Sequence, residues 1–181
     1  MKVATRLFAL HGYSATSLQA IVDEVGIRKP SLLYHFSSKE VLREAVIQEM
    51  LAQWHARLPR IMKAAAVGGD SIDALFGEVR EYFNEDPNRA RLLLREAVNR
   101  PDAIRSRLAD DFGPWMSLLS KAIADGQRAG SVRADLDPQA WLVQILIMVI
   151  STYATGSVWA TTFPDGAEGS FDRQISEIVR M

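Results

Sequence analysis

The stretch Thr16 to Leu42, TSLQAIVDEVGIRKPSLLYHFSSKEVL, constrains this chain more than any other, because its turn and capping residues divide it into three short helices. Thr16 and Gln19 stand three apart, as a capping box requires, and Leu18, Ile21, Val22 and Val25 follow with the period of an amphipathic helix. The spacing predicts a helix from about Ser17 to Val25. Gly26 comes where a helix often ends in a left-handed residue, and Ile27 supplies the hydrophobic contact that accompanies such an ending. A second helix is expected from near Arg28 to about His35, since Pro30 is tolerated in a first turn whose amides need no intrahelical partner. Ile27, Leu32 and Phe36 would pack it on the first helix. Ser37 with Glu40 reads as a second capping box, and Phe36 with Val41 as a hydrophobic staple at the entry to a third helix. Two helices joined by a tight turn and braced by a third make a DNA-reading module.

The candidate DNA-binding residues follow from that geometry. Arg28, Lys29, Pro30, Ser31, Leu33, Tyr34 and His35 lie on or near the open side of the second helix. Arg28 and Lys29 can donate to guanine edges or phosphates, Ser31 can donate or accept, and Leu33 can meet a thymine methyl. Thr16 and Ser17, with the amides that follow them, would grip phosphate, and Lys39 would stand at a helix start beside the backbone.

On these residues the segment resembles the DNA-binding domain of the TetR family of bacterial transcriptional regulators, over roughly Val3 to Val46. The matching positions are Thr16-Ser17, Ile21, Gly26-Ile27, Lys29, Leu32, Tyr34-His35-Phe36, Lys39-Glu40 and Leu42. Three positions depart from the family pattern: Val22 stands where a small residue is usual, Arg28 where a Ser caps the recognition helix, and Leu33 where a Tyr often contacts the backbone. The resemblance implies an all-α fold, with a helix-turn-helix domain at residues 1–46 and a helical ligand-binding and dimerisation domain at 47–181. In that family the first helix usually has another turn or two and a basic arm ahead of it. A longer native N-terminus, or loss of the arm, is therefore expected.

A net charge of −1 does not by itself suit a nucleic-acid partner. Its distribution does: residues 1–46 carry six Lys or Arg against four acids, a net +2 that leaves −3 for the remainder. The chain has no cysteine, which removes disulfides, thiolate zinc sites and a cysteine nucleophile. No secretory signal pattern opens it, so the cytoplasm is the expected location. His11, His35 and His55 are scattered without metal-ligand spacing, and no nucleophile or phosphate-loop motif is present, so no catalytic residue, metal or cofactor is assigned.

Helical patterning continues to the end. One helix is expected from Ser38 through Leu42, Val46, Met50, Trp54 and Ile61, disturbed at Pro59 and ending before Gly68-Gly69. Others run from Asp70 or Ser71 to about Asn84, from Asp86-Pro87 to Asn99, and from Pro101 to Gly130 with a kink or split at Gly113-Pro114. The last two run from Asp137-Pro138 to about Thr162 and from Phe171 to Val179. The stretch Ala140 to Phe163 has 24 residues without a charge, long enough to cross a bilayer. Its Ser, Thr and Gln content and the acidic Asp137 and Asp165 at its flanks instead suggest a helix buried between its own domain and a second subunit, with no membrane. In the resembling family the last two helices form the interface of a homodimer, whose two heads read a palindromic double-stranded operator.

Trp54, Phe76, Phe83, Leu93, Trp115, Met148 and Tyr153, with the polar Arg95 and Gln144, could line a cavity for a small apolar or amphipathic effector. The expected function is a ligand-responsive transcriptional regulator, a repressor released from its operator by that effector. Helix four would be the lever, touching the head through Leu42 and Val46 and the effector domain through Trp54. The alternative is a helical sensor or protein-interaction module of the same fold that has lost DNA binding.

Overall fold

A computed structural model describes residues 1–66, 71–159 and 173, and among these the chain forms helices and no strand. In chain order they are α1 (Lys2–His11), α2 (Leu18–Val25), α3 (Lys29–His35), α4 (Lys39–His55), α5 (Leu58–Ala66), α6 (Ser71–Glu85), α7 (Asn88–Asn99), α8 (Pro101–Ala129) and α9 (Pro138–Trp159). The expected helix at Phe171 to Val179 lies outside the described residues, apart from Arg173.

The turn after α2 forms as the sequence predicts. Gly26 adopts φ 76° and ψ 30°, and the amides of Gly26 and Ile27 both donate to the Val22 carbonyl, at 2.9 and 3.1 Å. Both capping positions are one residue later than the spacing suggested. Ser17, not Thr16, caps α2 by accepting from the Ala20 amide at 3.0 Å, because the Thr16 hydroxyl is committed elsewhere in the core. Ser38, not Ser37, caps α4 by accepting from the Val41 amide at 3.2 Å. Val41 is accordingly 43% exposed, and Leu42, at 2%, is the residue of this turn that enters the core beside which Phe36 packs. Ile27 is also largely exposed, and Leu32 and Phe36 carry the packing of α3.

The remaining boundaries follow local chemistry. The long fourth helix breaks at Ala56-Arg57, and Pro59 lies in the first turn of the new helix α5, where its missing N–H costs nothing. Pro114 lies inside α8 without splitting it. Gly130, at φ 77°, ends α8.

Two apolar clusters organise the packing. The first gathers Leu7, Phe8, Ile21, Val22, Leu32, Leu42 and Val46 from the N-terminal helices, and also takes in Leu92 from α7. The second gathers Trp54, Leu58, Phe76, Tyr82, Phe83, Ala90, Ile145, Val149 and Tyr153 from α4 to α7 and α9. The head's core is therefore completed by a helix from the body. Arg95 of α7 donates to the Leu10 carbonyl at 3.1 Å, satisfying an acceptor at the C-terminal end of α1. Gly12 suits this junction by its φ of +83°, and a Cβ there would lie 3.2 Å from Arg95 Nη1, a tight contact to which the side-chain end would have to yield. Arg100 and Arg107 both pair with Glu44 of α4. On the other side of α7, Arg91 donates to the Ala154 carbonyl of α9 at 3.1 Å.

Helix α9 is long and apolar enough to cross a membrane. Its inner face carries the buried Leu142, Ile145, Val149 and Tyr153, the last three in the second cluster, while Val143 and Ile147 are exposed.

Leu92 is 1% exposed. Leu92→Ala should cost about 2–5 kcal/mol, the range for a truncated buried leucine, and chemical denaturation followed by circular dichroism measures it. A loss under about 0.5 kcal/mol, the scale of a neutral surface change, would show that α7 does not hold the head together.

Candidate nucleic-acid interface and ligand cavity

Helix α3 presents the surface that the sequence assigns to DNA. Arg28, Lys29, Pro30, Ser31, Leu33, Tyr34 and His35 are all exposed, and Tyr34 is 86% exposed with its ring edge-on to His35 at 5.2 Å. Leu32, one residue from Leu33, is the anchor that turns this face outward. Ser17 is exposed as well. Its oxygen is used in capping, but its hydroxyl proton remains available to a phosphate.

Two of the ten candidates are held differently. Thr16 is 2% exposed, and its hydroxyl lies 3.1 Å from the Leu7 carbonyl and 2.8 Å from that of Gly12. It pins the start of α2 to the end of α1. Lys39 folds back on the same junction, donating to the carbonyls of Tyr13 at 2.8 Å and Thr16 at 2.9 Å. Its ammonium also stands 4.3 Å from the centre of the Tyr13 ring.

Tyr13, which the sequence reading passed over, is the centre of this brace. Lys39 and Arg43 both stand over its ring, Phe8 packs beside it at 5.9 Å, and its hydroxyl donates to Glu40. Burial and then the Glu40 hydrogen bond push the phenol up, while the same bond holds the Glu40 carboxyl below its usual range. A depressed carboxylate stabilises the fold above its unfolded titration range and loses that contribution as pH falls, so this contact belongs to neutral solution. The signal in the sequence was the pairing of Lys39 and Arg43, one helical turn apart on α4, with an aromatic residue just after Gly12.

The body holds a cavity of about 320 Å³ between α4, α5, α6, α8 and α9. Of the nine effector-pocket candidates, Trp54, Phe76 and Trp115 line it. Phe83, Met148 and Tyr153 belong to the core packed beside it. Leu93 packs against the head instead, Arg95 caps α1, and Gln144 is exposed on α9. The walls missed by the sequence reading include Leu58, Ile61, Phe112, Leu119 and Ile145. Leu58 and Ile61 share a helix face by their spacing, but nothing in one sequence tells a cavity wall from close-packed core. Among the described residues no cluster of three or more His, Asp or Glu could hold a metal.

Tyr82, in the body core edge-on to the wall residue Trp54, links that core to the head. Its hydroxyl donates to the Met50 carbonyl at 2.9 Å, and burial pushes the phenol up to about 12.

The sequence matches two protein families: bacterial regulatory proteins of the tetR family over residues 1–46, and the tetracyclin repressor-like C-terminal domain over residues 92–158. It is similar to the transcriptional repressor KstR2 of Mycolicibacterium smegmatis, at 28% identity, covering 76% of this chain and 67% of that protein. It is likewise similar to the transcriptional regulator LmrA of Bacillus subtilis, at 30% identity, with 68% of each chain covered. Among solved structures, the ketosteroid transcriptional regulator KstR2 of Mycobacterium tuberculosis superposes with a TM-score of 0.70 at 20% identity, over 98% of this chain and 90% of that one. At that identity the superposition speaks for the fold.

The brace and the exposed face should separate in stability measurements. Thr16→Val removes the one hydroxyl proton shared between the Leu7 and Gly12 carbonyls and should cost about 1–3 kcal/mol. Tyr34→Ala should change stability by no more than about 0.5 kcal/mol. Urea denaturation of both variants checks the contrast, and equal costs would mean that Tyr34 is a packing residue.

Proposed function

Because the chain belongs to the TetR family of bacterial regulatory proteins and is a transcriptional regulator, we propose that it represses its target as a homodimer on a palindromic operator and is released by a small effector. Residues 1–46 serve as the reading head and residues 47–181 as the ligand-binding and dimerisation part. The observation that carries this reading is the exposed face of α3, with Arg28, Lys29, Ser31, Tyr34 and His35 clear of the core, in the same chain as an apolar cavity.

Helix α3 lies in the major groove, where Arg28, Lys29 and Ser31 meet base edges or phosphates and Leu33 meets a thymine methyl. Pro30 keeps the first turn clear of an amide that would need a partner. Ser17, Tyr34 and His35 contact the backbone. Thr16 and Lys39 act mainly from behind, fixing the angle at which α2 meets α1 and α4, and Lys39 keeps one ammonium proton for phosphate.

Two heads must be spaced about one turn of DNA apart, roughly 34–36 Å, and dimerisation supplies that spacing. Helix α9 supports this, since Val143, Ile147, Val158 and Trp159 expose a row of large apolar groups that a second copy would cover. Its proposed companion in the interface, 171–179, lies outside the described residues. On this reading α9 is an interface helix rather than a membrane span, with Ile145, Val149 and Tyr153 packed in its own body and the outward row against a second copy. The role is regulatory rather than catalytic, and it is exercised in the cytoplasm.

Release requires an effector that favours the form with wrongly spaced heads. A hundredfold loss of affinity needs only about 2.7 kcal/mol of differential binding. Two helices supply the route. Helix α4 carries Met50 in the head cluster and Trp54 in the cavity wall, and α7 carries Leu92 in the head cluster and Ala90 in the body cluster.

Fluorescence anisotropy on duplex DNA from the chain's own upstream region tests the reading. The expected result is salt-sensitive binding that prefers this duplex to a scrambled one. Lys29→Ala should weaken binding and, if Lys29 meets phosphate, lower the salt slope by about one. Absence of any preference across candidate operators would favour a sensor that does not bind DNA. Separately, Ile147→Glu should turn a dimer into a monomer in sedimentation experiments and lower operator affinity at least about tenfold. A dimer that survives this change would place the interface elsewhere.

A further inference from the structure

We propose that the cavity takes an uncharged, mainly hydrocarbon ligand and discriminates against carboxylates, an inference that rests on reading this cavity as the effector site. Its walls are three indoles, Trp54, Trp115 and Trp141, with Phe76, Phe112 and aliphatic side chains between them. None of the described residues lining it carries a charge, a hydroxyl or an amide. Apart from the weakly accepting Met116 sulfur, the polar atoms of the lining side chains are the indole N–H groups, and they donate only. An indole N–H can donate to a ligand carbonyl or ether oxygen, whereas an anion finds no counter-charge among the described lining residues.

Arg80 and Lys121, beside the lining residues Val79 and Ala122, are exposed to solvent, and the less exposed Arg57 and Arg89 are already paired with acids. Arg57, next to the lining residue Leu58, pairs with Glu78, Glu81 and Glu85, and Arg60 pairs with Glu78 and Glu81. Arg89 pairs with Glu85 and donates to the Tyr82 carbonyl. A carboxylate drawn inward would have to compete with these acids or give up its charge. The volume of about 320 Å³ is near the lower end of the roughly 300–1,000 Å³ usual for ligand pockets, so the occupant is small.

Calorimetric titration of the full chain at neutral pH with matched probes decides the matter: decan-1-ol against decanoate, and 2-acetylnaphthalene against 2-naphthoate. The neutral member of each pair should bind at least about tenfold tighter. Three of the four tryptophans line the cavity, so decan-1-ol should also change the intrinsic fluorescence. Leu118 lines the cavity while 41% exposed, so the guanidinium of Leu118→Arg can reach solvent and still meet a ligand headgroup. That variant should narrow or reverse the preference within the decyl pair. A carboxylate that binds the native chain as tightly as its neutral partner, or a failure of both neutral probes to bind, overturns the proposal. Operator release is read separately by anisotropy: a neutral probe that fills the cavity without releasing DNA would uphold the ligand class and sink the effector role.

Discussion

The burial of Leu92 in the head is the contact on which the rest of the molecule depends. The N-terminal helices bring Leu7, Phe8, Ile21, Val22, Leu42 and Val46 together, yet they do not close their own core. Helix α7 closes it, and because α7 also packs against α9, the head is attached to the body by shared hydrophobic burial. Such an attachment is stiff, since packed interiors transmit displacement instead of absorbing it. Movement of α7 relative to the cavity would therefore move the head.

Polar groups at the same junction fix its geometry. Arg95 occupies the end of α1, Glu44 receives both Arg100 and Arg107, and Tyr82 reaches across to the Met50 carbonyl. Within the head, Thr16, Lys39 and Arg43 are spent on Tyr13 and on backbone carbonyls. Four of the six cations of the head therefore divide into two sets. Lys39 and Arg43 brace the fold, while Arg28 and Lys29 stay exposed on α3 for the proposed partner. The partition is economical for a reader of DNA, because the recognition side chains do not have to break internal contacts before they meet a base.

The cavity and the head share structural members, and that gives the proposed regulation a mechanical basis. Trp54 and Met50 are one turn apart on α4, one in the cavity wall and one in the head core. A ligand that pushes on Trp54 acts on the same rigid helix that carries Leu42 and Val46. With apolar walls and with Arg57, Arg60 and Arg89 paired to acids, the ligand would act mainly through shape and volume.

Local chemistry made much of this legible in the sequence. The left-handed glycine after α2, the span of α3, Pro101 at the start of α8 and Gly130 at its end are each dictated by a residue's own backbone preference, so the sequence alone determined the helix-turn-helix and the all-helical class. Caps were legible only to within one residue, since Thr16 and Ser17, or Ser37 and Ser38, are chemically equivalent until the core selects one. Thr16 went to the core because its hydroxyl reaches the Leu7 and Gly12 carbonyls at the end of α1, where it is buried. The tertiary structure alone decided which apolar side chains bound a cavity and which fill space, for Trp54 and Phe83 carry the same hydrophobic signal and only packing separates them. It also decided that Leu92, Arg95 and Lys39 hold the head together. Those roles depend on groups distant in the chain, and no periodicity within a single helix encodes them.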